Sequence, residues 1–411
     1  MKKSLLLICF LVFPLILSFG YKVDIYLSKG DYINISDMDT PSYMPPGSIY
    51  ADRTFFFRAS SSQATYTLFT AGCPLSDGCP LSAGCSLSAD TSWNIFTNDP
   101  SPDATVLFYD FDTQQKNLSN IKYLESLIDD AKRYIYISIY DINHSTIADA
   151  LKRAAQRGIE VKMVTETQNQ NTFTSLSLPR NNIKVLFDTN IALMHDKFIV
   201  IDGYCLVTGS TNLTNNCLEY NSNNMIFIFN NEIAENYVQE FKEQFEQKIF
   251  GKKAGTEKPF PSVLTDIGTI STYFTPEDNL KQEILKNIKE CTKNIYMMIF
   301  TFTDPDIAQE LICASERGVE VKVITEEFQS KASYAAYNIL KGKIDIILDK
   351  NSKTFHHKVI IFDDNKVLTG SFNFTGAAQD KNDENSLIIE SNYINTVYTD
   401  EFKRLWGSYT K

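Results

Sequence analysis

His195 to Asn212 reads HDKFIVIDGYCLVTGSTN, and His356 to Asn373 reads HHKVIIFDDNKVLTGSFN. Both segments fit H-x-K-x4-D-x6-G-S-x-N. At average residue usage one match to those fixed positions arises by chance about once in 10^5 chains of this length, and two matches far more rarely. The repeat is therefore the feature to interpret first. In the first copy the apolar run Phe198 to Ile201 breaks at Asp202-Gly203 and resumes at Tyr204, which predicts two antiparallel strands joined by a two-residue turn. That register pairs Ile201 with Tyr204, sets His195 across from Ser210, and projects His195, Lys197, Ser210 and Asn212 from one face. In the second copy, with Asp363-Asp364 as the turn, it sets His356 across from Ser371, with Lys358 and Asn373 on the same face.

Each hairpin is thus expected to present an imidazole, an ammonium and two neutral hydrogen-bonding groups together. That set suits a phosphodiester. Lysine supplies a compact positive charge, Ser and Asn donate to phosphoryl oxygens, and Gly209 or Gly370 permits close backbone approach. Imidazole can act near neutral pH as nucleophile or as proton donor, and two copies supply one of each.

On these residues the chain resembles the phospholipase D superfamily, marked by paired HKD motifs, and the second copy resembles its small bacterial endonuclease branch. The resemblance runs from about Thr105 to Lys411. It implies two α/β/α sandwich halves related by a pseudo-two-fold axis and sharing one active site. One His forms a phosphohistidine intermediate, the other protonates the leaving alcohol, and neither metal nor cofactor is required. Carried over, His195 and His356 are the catalytic pair, with His195 favoured as nucleophile. Lys197, Lys358, Asn212 and Asn373 bind phosphate with help from Ser210 and Ser371. Family members also carry a downstream acid that holds a catalytic imidazole. Here Glu384 stands at that position after His356, but the matching position after His195 is Asn223. Because such partners are exchanged between fused halves, Glu384 is expected to serve His195, and Asn223 to contact His356.

The remaining sequence sets the context. MKKSLLLICFLVFPLILSFG has the lysine head, uncharged apolar run and small residues of a secretory signal over residues 1–20, with a retained anchor as the alternative. The protein is therefore expected to be exported: secreted, periplasmic or on the cell surface. Residues 21–103 read as a β-rich or irregular region containing GCPLSD-GCPLSA-GCSLSA. Cys73, Cys79 and Cys85 there are read as loop cysteines rather than metal ligands, since no His lies nearby. A net charge of −11, from 39 basic and 50 acidic residues, argues against broad nonspecific nucleic-acid binding but not against a local basic cleft.

From Thr105 the chain repeats a β-α-β-α-β order. Helices are predicted around Leu124 to Lys132 and Ile147 to Arg157, then around Leu280 to Cys291 and Ile307 to Arg317, with strands between. The first half is set at 104–250, a linker at 251–265 and the second half at 266–411. Glu166 and Glu326 lie in matching strand ends, Asp202 and Asp363 in turns, His144 stands as a lone histidine outside the motifs, and His357 lies on the opposite strand face from His356. All six are read as structural or, for His357, as packing or support. The functions this leaves are a phospholipid hydrolase or phosphatidyl transferase, a secreted metal-independent endonuclease, and a non-catalytic phosphate-binding or adhesion protein. A monomer holding both half-sites, with contact to a membrane surface, is the expected working form.

Overall fold

In the computed structural model the chain divides at Pro100/Ser101 into two units. Residues 23–26, 32–34, 56–59 and 104–411 are described, apart from 172–175, 254 and 256. The signal stretch and the three loop cysteines lie outside the described residues. In the first unit β1 (Val23–Tyr26) pairs antiparallel with β2 (Tyr32–Asn34) and β3 (Phe56–Ala59).

The second unit is built twice over from one plan. Its first sheet contains β4 (Ala104–Tyr109), β5 (Tyr134–Ile139), β6 (Glu160–Thr165), β7 (Lys184–Phe187), β8 (Lys197–Ile201), β9 (Cys205–Gly209) and β10 (Asn223–Phe229), in the order β4-β10-β9-β8-β5-β6-β7. The second contains β11 (Ser262–Thr265), β12 (Gly268–Thr275), β13 (Asn294–Ile299), β14 (Glu320–Thr325), β15 (Asp345–Leu348), β16 (Lys358–Phe362), β17 (Lys366–Gly370) and β18 (Glu384–Glu390). Its order is β11-β12-β18-β17-β16-β13-β14-β15, the same plan with one added edge strand. That strand, β11, falls inside the stretch read as linker.

Three apolar layers hold this arrangement. Helices α1 (Gln114–Asp129) and α2 (Ser145–Gln156) cover the outer face of the first sheet, burying Ile199, Ile201, Val207 and Phe227. α4 (Leu280–Glu290) and α5 (Pro305–Glu316) do the same for Ile360, Phe362, Leu368 and Ile388 of the second. The alternate residues Phe198, Val200, Val359 and Ile361 face inward. There they share a single core with α3 (Asn231–Lys242) and α6 (Asn392–Tyr409). Strands covered on both faces must be apolar throughout, which explains the uninterrupted FIVI and VIIF runs inside the motifs. The helices dock alike: Phe241 stacks on Tyr136 at 4.7 Å, and Phe402 on Tyr296 at 4.6 Å. This is the expected pair of α/β sandwich halves.

Two local expectations need correction. Helix α1 starts ten residues or so before Leu124, because Asn117 and Asn120 are buried polar residues that bond Asp110 O, Glu219 O and Phe108 O and so hide the helical apolar rhythm. The motif hairpins also turn through three residues, not two. Ile201 pairs with Cys205 and Phe362 with Lys366, so each register is one residue away from that expected. The turns begin at Asp202 (φ 56°) and Asp363 (φ 47°). The Asp202 carboxylate accepts the backbone N–H groups of Lys132, Arg133 and Tyr134 at 2.7–3.0 Å. Asp363 does the same for Thr292, Lys293 and Asn294. The aspartate of each motif is thus a clamp between its turn and the head of β5 or β13.

Candidate active site

The two halves meet through the residues that flank the motif histidines. His195 N donates to Asp383 O at 2.8 Å, and Asp383 N donates to Leu193 O at 2.9 Å. The opposite joint repeats this, with His356 N bonded to Ser222 O at 2.8 Å and Ser222 N to Thr354 O at 3.0 Å. Each histidine is thereby set against the first residues of the last strand of the other half, β18 or β10. The side chains complete the exchange. His195 Nδ1 lies 2.7 Å from Glu384 Oε2, and His356 Nδ1 lies 2.9 Å from Asn223 Oδ1.

The serines take their places across the same exchange, which corrects their expected partners. Ser371 Oγ donates to Glu384 Oε2 at 2.7 Å, so it supports His195 and not His356. Ser210 Oγ donates to Asn223 Oδ1 at 3.2 Å and so supports His356. The cause is backbone geometry. Gly209 (φ 136°) and Gly370 (φ 153°) end β9 and β17 in conformations that break strand alternation. A Cβ at either position would meet the carbonyl of Asn224 or Asn385 at 2.4 or 2.2 Å, so the close approach these glycines permit is to the neighbouring strand.

Both lysines are buried, Lys358 completely. Lys197 Nζ donates to His195 O at 2.8 Å, and Lys358 Nζ contacts both His356 O and His356 Nε2 at 3.2 Å. Aromatic rings wall each imidazole: Tyr140 lies 5.1 Å from His195, and Phe300 lies 4.8 Å from His356. The same rings lie under the two ammoniums. Asn212 and Asn373 are uncommitted. Neither side chain hydrogen-bonds another described residue, and each amide oxygen is buried. The site thus holds both His–Lys pairs, Glu384, Asn223 and the serines in two hydrogen-bonded sets, each drawn from both halves, and leaves the amides of Asn212 and Asn373 without a partner among the described residues.

Electrostatics shows the half-sites act on each other. Burial, and then the Lys197 and Lys358 ammoniums, hold His195 well below the ordinary imidazole range. His356 is held down by burial, Lys358, Lys197 and His195. Burial pushes Glu384 up to about 7 against the opposing pull of Lys197, Ser371, Asn382 and Lys358. Burial also lowers Lys197 to about 8. Every shift favours the neutral form, because the buried imidazoles and ammoniums lose solvation and repel one another; what would favour their charged forms is a negative charge placed between them. A phosphodiester anion supplies it.

Two supporting residues escaped the sequence reading. Asn385 accepts from Lys197 N at 2.8 Å and donates to Thr208 Oγ1 at 2.6 Å, both in the other half. Its counterpart Asn224 approaches His357 Nδ1 at 3.2 Å and accepts from Thr369 Oγ1 at 2.8 Å. Their matching positions directly after Glu384 and Asn223 were the available signal. His357 is fully buried, and burial lowers it to about 3, as fits a neutral packing residue. Glu166 accepts from Met194 N at 2.9 Å and positions the approach to His195.

Comparison with known proteins agrees with this architecture. The family model described as "Cardiolipin synthase, PLD-like domain" matches residues 124–245 and again 284–406. A phospholipase D of Rickettsia conorii is 38% identical over 130 residues, which is 31% of this chain and 65% of that protein; the chain thus spans about two thirds of that relative's length. A mitochondrial cardiolipin hydrolase of Xenopus laevis is 31% identical over 148 residues, covering 36% of this chain and 70% of that one. The crystal structure of phosphatidylserine synthase from Haemophilus influenzae aligns with a TM-score of 0.54 at 14% identity, over 74% of this chain and 86% of that one, a likeness of fold. With its model matched twice, once over each half of a shared site, the chain belongs to the cardiolipin synthase, PLD-like domain family.

Proposed function

We propose that the protein is a phosphodiesterase of the phospholipase D type, cleaving the distal phosphoester of a phospholipid or passing its phosphatidyl group to an alcohol. The observation that carries this reading is the cross-half pairing of two buried imidazoles, one backed by Glu384 and one by Asn223, within a cluster of two lysines. In this mechanism the phosphate enters between the lysines, with Asn212 and Asn373 turning their free amides to its oxygens. His195 Nε2 attacks phosphorus, and the P–O bond to the headgroup breaks. The ring becomes cationic when phosphorus bonds to Nε2, and the Glu384 carboxylate at Nδ1 stabilises that charge. Neutral Asn223 orients His356 without strengthening its hold on a proton, which suits the ring that protonates the leaving oxygen. Water, deprotonated by His356, then releases the product.

The names of the curated relatives support a lipid substrate. So do Ile191, just ahead of His195, and Phe328 and Tyr334, beyond β14, all exposed apolar or aromatic residues on loops at the strand ends where the histidines stand. The lysine-led apolar N-terminus supports export, and two half-sites in one chain support a monomer. The test is turnover of purified full-length protein and His195→Asn on phosphatidylcholine or cardiolipin vesicles, plasmid DNA and single-stranded RNA. Headgroup release by the wild type alone is expected. Cleavage of nucleic acid without lipid turnover would replace this reading with the nuclease one, and turnover of none with the binding one.

A further inference from the structure

A second group of acids lies outside the reaction. Glu240, on α3, and Glu243, just past its end, lie on one face of the helix. Glu277 reaches them from the other half, beyond the end of β12. One carboxylate oxygen from each lies within 4.8 Å of the other two. Glu240 Oε1 accepts from Gln244 Nε2 at 2.7 Å, and Glu243 Oε1 accepts from Gly255 N at 2.9 Å. Glu277 differs: both of its carboxylate oxygens are shielded from solvent and accept no hydrogen bond from another described residue. Gln244 Nε2 also donates at 2.6 Å to Asp196, a fully buried acid whose other oxygen is likewise unbonded and whose charge acts on that of Glu277.

The pseudo-symmetric joint shows what such a place requires. At the offset that relates His195 to His356, Glu240 corresponds to Glu401 and Glu243 to Arg404. Arg404, on α6, bonds Glu401 at 2.8 Å and reaches across to Asp110, just past β4 in the other half, also at 2.8 Å. There one guanidinium ties a helix of one half to the strand end of the other. At the first joint a carboxylate stands in the arginine's place, and the strand end again contributes an acid.

We infer that Glu240, Glu243 and Glu277 form a site for a divalent cation, of the hard, oxygen-liganded class of calcium or magnesium. The cation ties α3 to the strand end of the opposite half as Arg404 does at the other joint. The spacing fits: calcium binds oxygens at about 2.3–2.6 Å, so ligands on opposite sides of it lie roughly 4.8 Å apart. Carboxylates without thiol or imidazole favour hard cations over zinc or copper. The role is structural, and its readout is independent of whether the enzyme turns over lipid.

The experiment is calorimetric titration of Ca2+, Mg2+ and Mn2+ into chelator-stripped full-length protein, with thermal melts run alongside. Wild type should bind one equivalent saturably and melt higher when loaded. Glu277→Gln should weaken binding at least about tenfold, as expected when one of three charged ligands is lost. Glu243→Arg rebuilds the arginine joint, so it should abolish binding and, when stripped, melt at or above the loaded wild type. Absence of saturable binding of all three cations to wild type would overturn the inference, as would binding unchanged in both variants.

Discussion

The Glu384 carboxylate holds the ring of His195 from 189 positions away, through a 2.7 Å contact between opposite halves of the molecule. The equivalent ring, His356, is held by an amide. A site assembled from two near-copies is therefore chemically one-sided, and the first predictions follow from that asymmetry.

Glu384→Gln should slow formation of the covalent intermediate more than its breakdown, since the carboxylate acts mainly on the ring that becomes cationic. Because burial raises Glu384 to about 7, wild-type kcat/KM should fall as pH drops through 7, and that limb should vanish in the variant. Stability carries the opposite sign. A raised carboxyl contributes fully below its ordinary value of 4.5, and the contribution is lost as pH rises through about 7. The Tm of Glu384→Gln relative to wild type should thus improve between pH 5 and pH 8. Stopped-flow burst kinetics and melts across that range check both halves of the prediction.

Asn223→Asp places a carboxylate at His356 Nδ1. An opposite charge at that distance raises an imidazole by about 1–3 units. The alkaline limb of kcat/KM should move up by about one unit while the acid limb stays. An unmoved alkaline limb would separate His356 from the proton-donating step.

Lys358 is fully buried, and its ammonium is held well below the ordinary lysine value by burial and by Lys197. Replacing a buried charge with an apolar residue of similar length is often stabilising. Lys358→Met should raise Tm yet abolish turnover, and it should abolish the upward Tm shift that inorganic phosphate is expected to give the wild type. A lower Tm in the variant would mean that the lysine contributes to the fold rather than costing it.

Asp202→Ala leaves three backbone N–H groups without their acceptor and should cost about 1–3 kcal/mol in a denaturant titration. Turnover by the folded protein should persist. Loss of activity at full stability would assign Asp202 to the chemistry instead.

The sequence carried the large features because they rest on repetition. The paired motifs, the α/β order and the matched places of Glu384 and Asn223 come from comparing two copies, while the exchange of those two residues between halves came from the family resemblance. What it could not carry rests on single-residue geometry. The three-residue turns shift each hairpin by one place, and Gly209 and Gly370 then turn the chain again. Ser210 and Ser371 consequently serve the opposite histidine from the one simple alternation gives them. Buried Asn117 and Asn120 concealed the start of α1 for a related reason: hydrogen bonding, not apolar rhythm, fixes them in place.

The central claim is that two halves present their rings to one phosphorus, His195 to bond it and His356 to move the proton. Rapid quenching of wild type with phosphatidylcholine into alkaline denaturant, followed by peptide mass spectrometry, tests it most directly. The account predicts a phosphatidyl adduct on the peptide containing His195, absent from His195→Asn and formed more slowly in His356→Asn. An adduct on His356 instead, or turnover with no histidine adduct at any time, would contradict it.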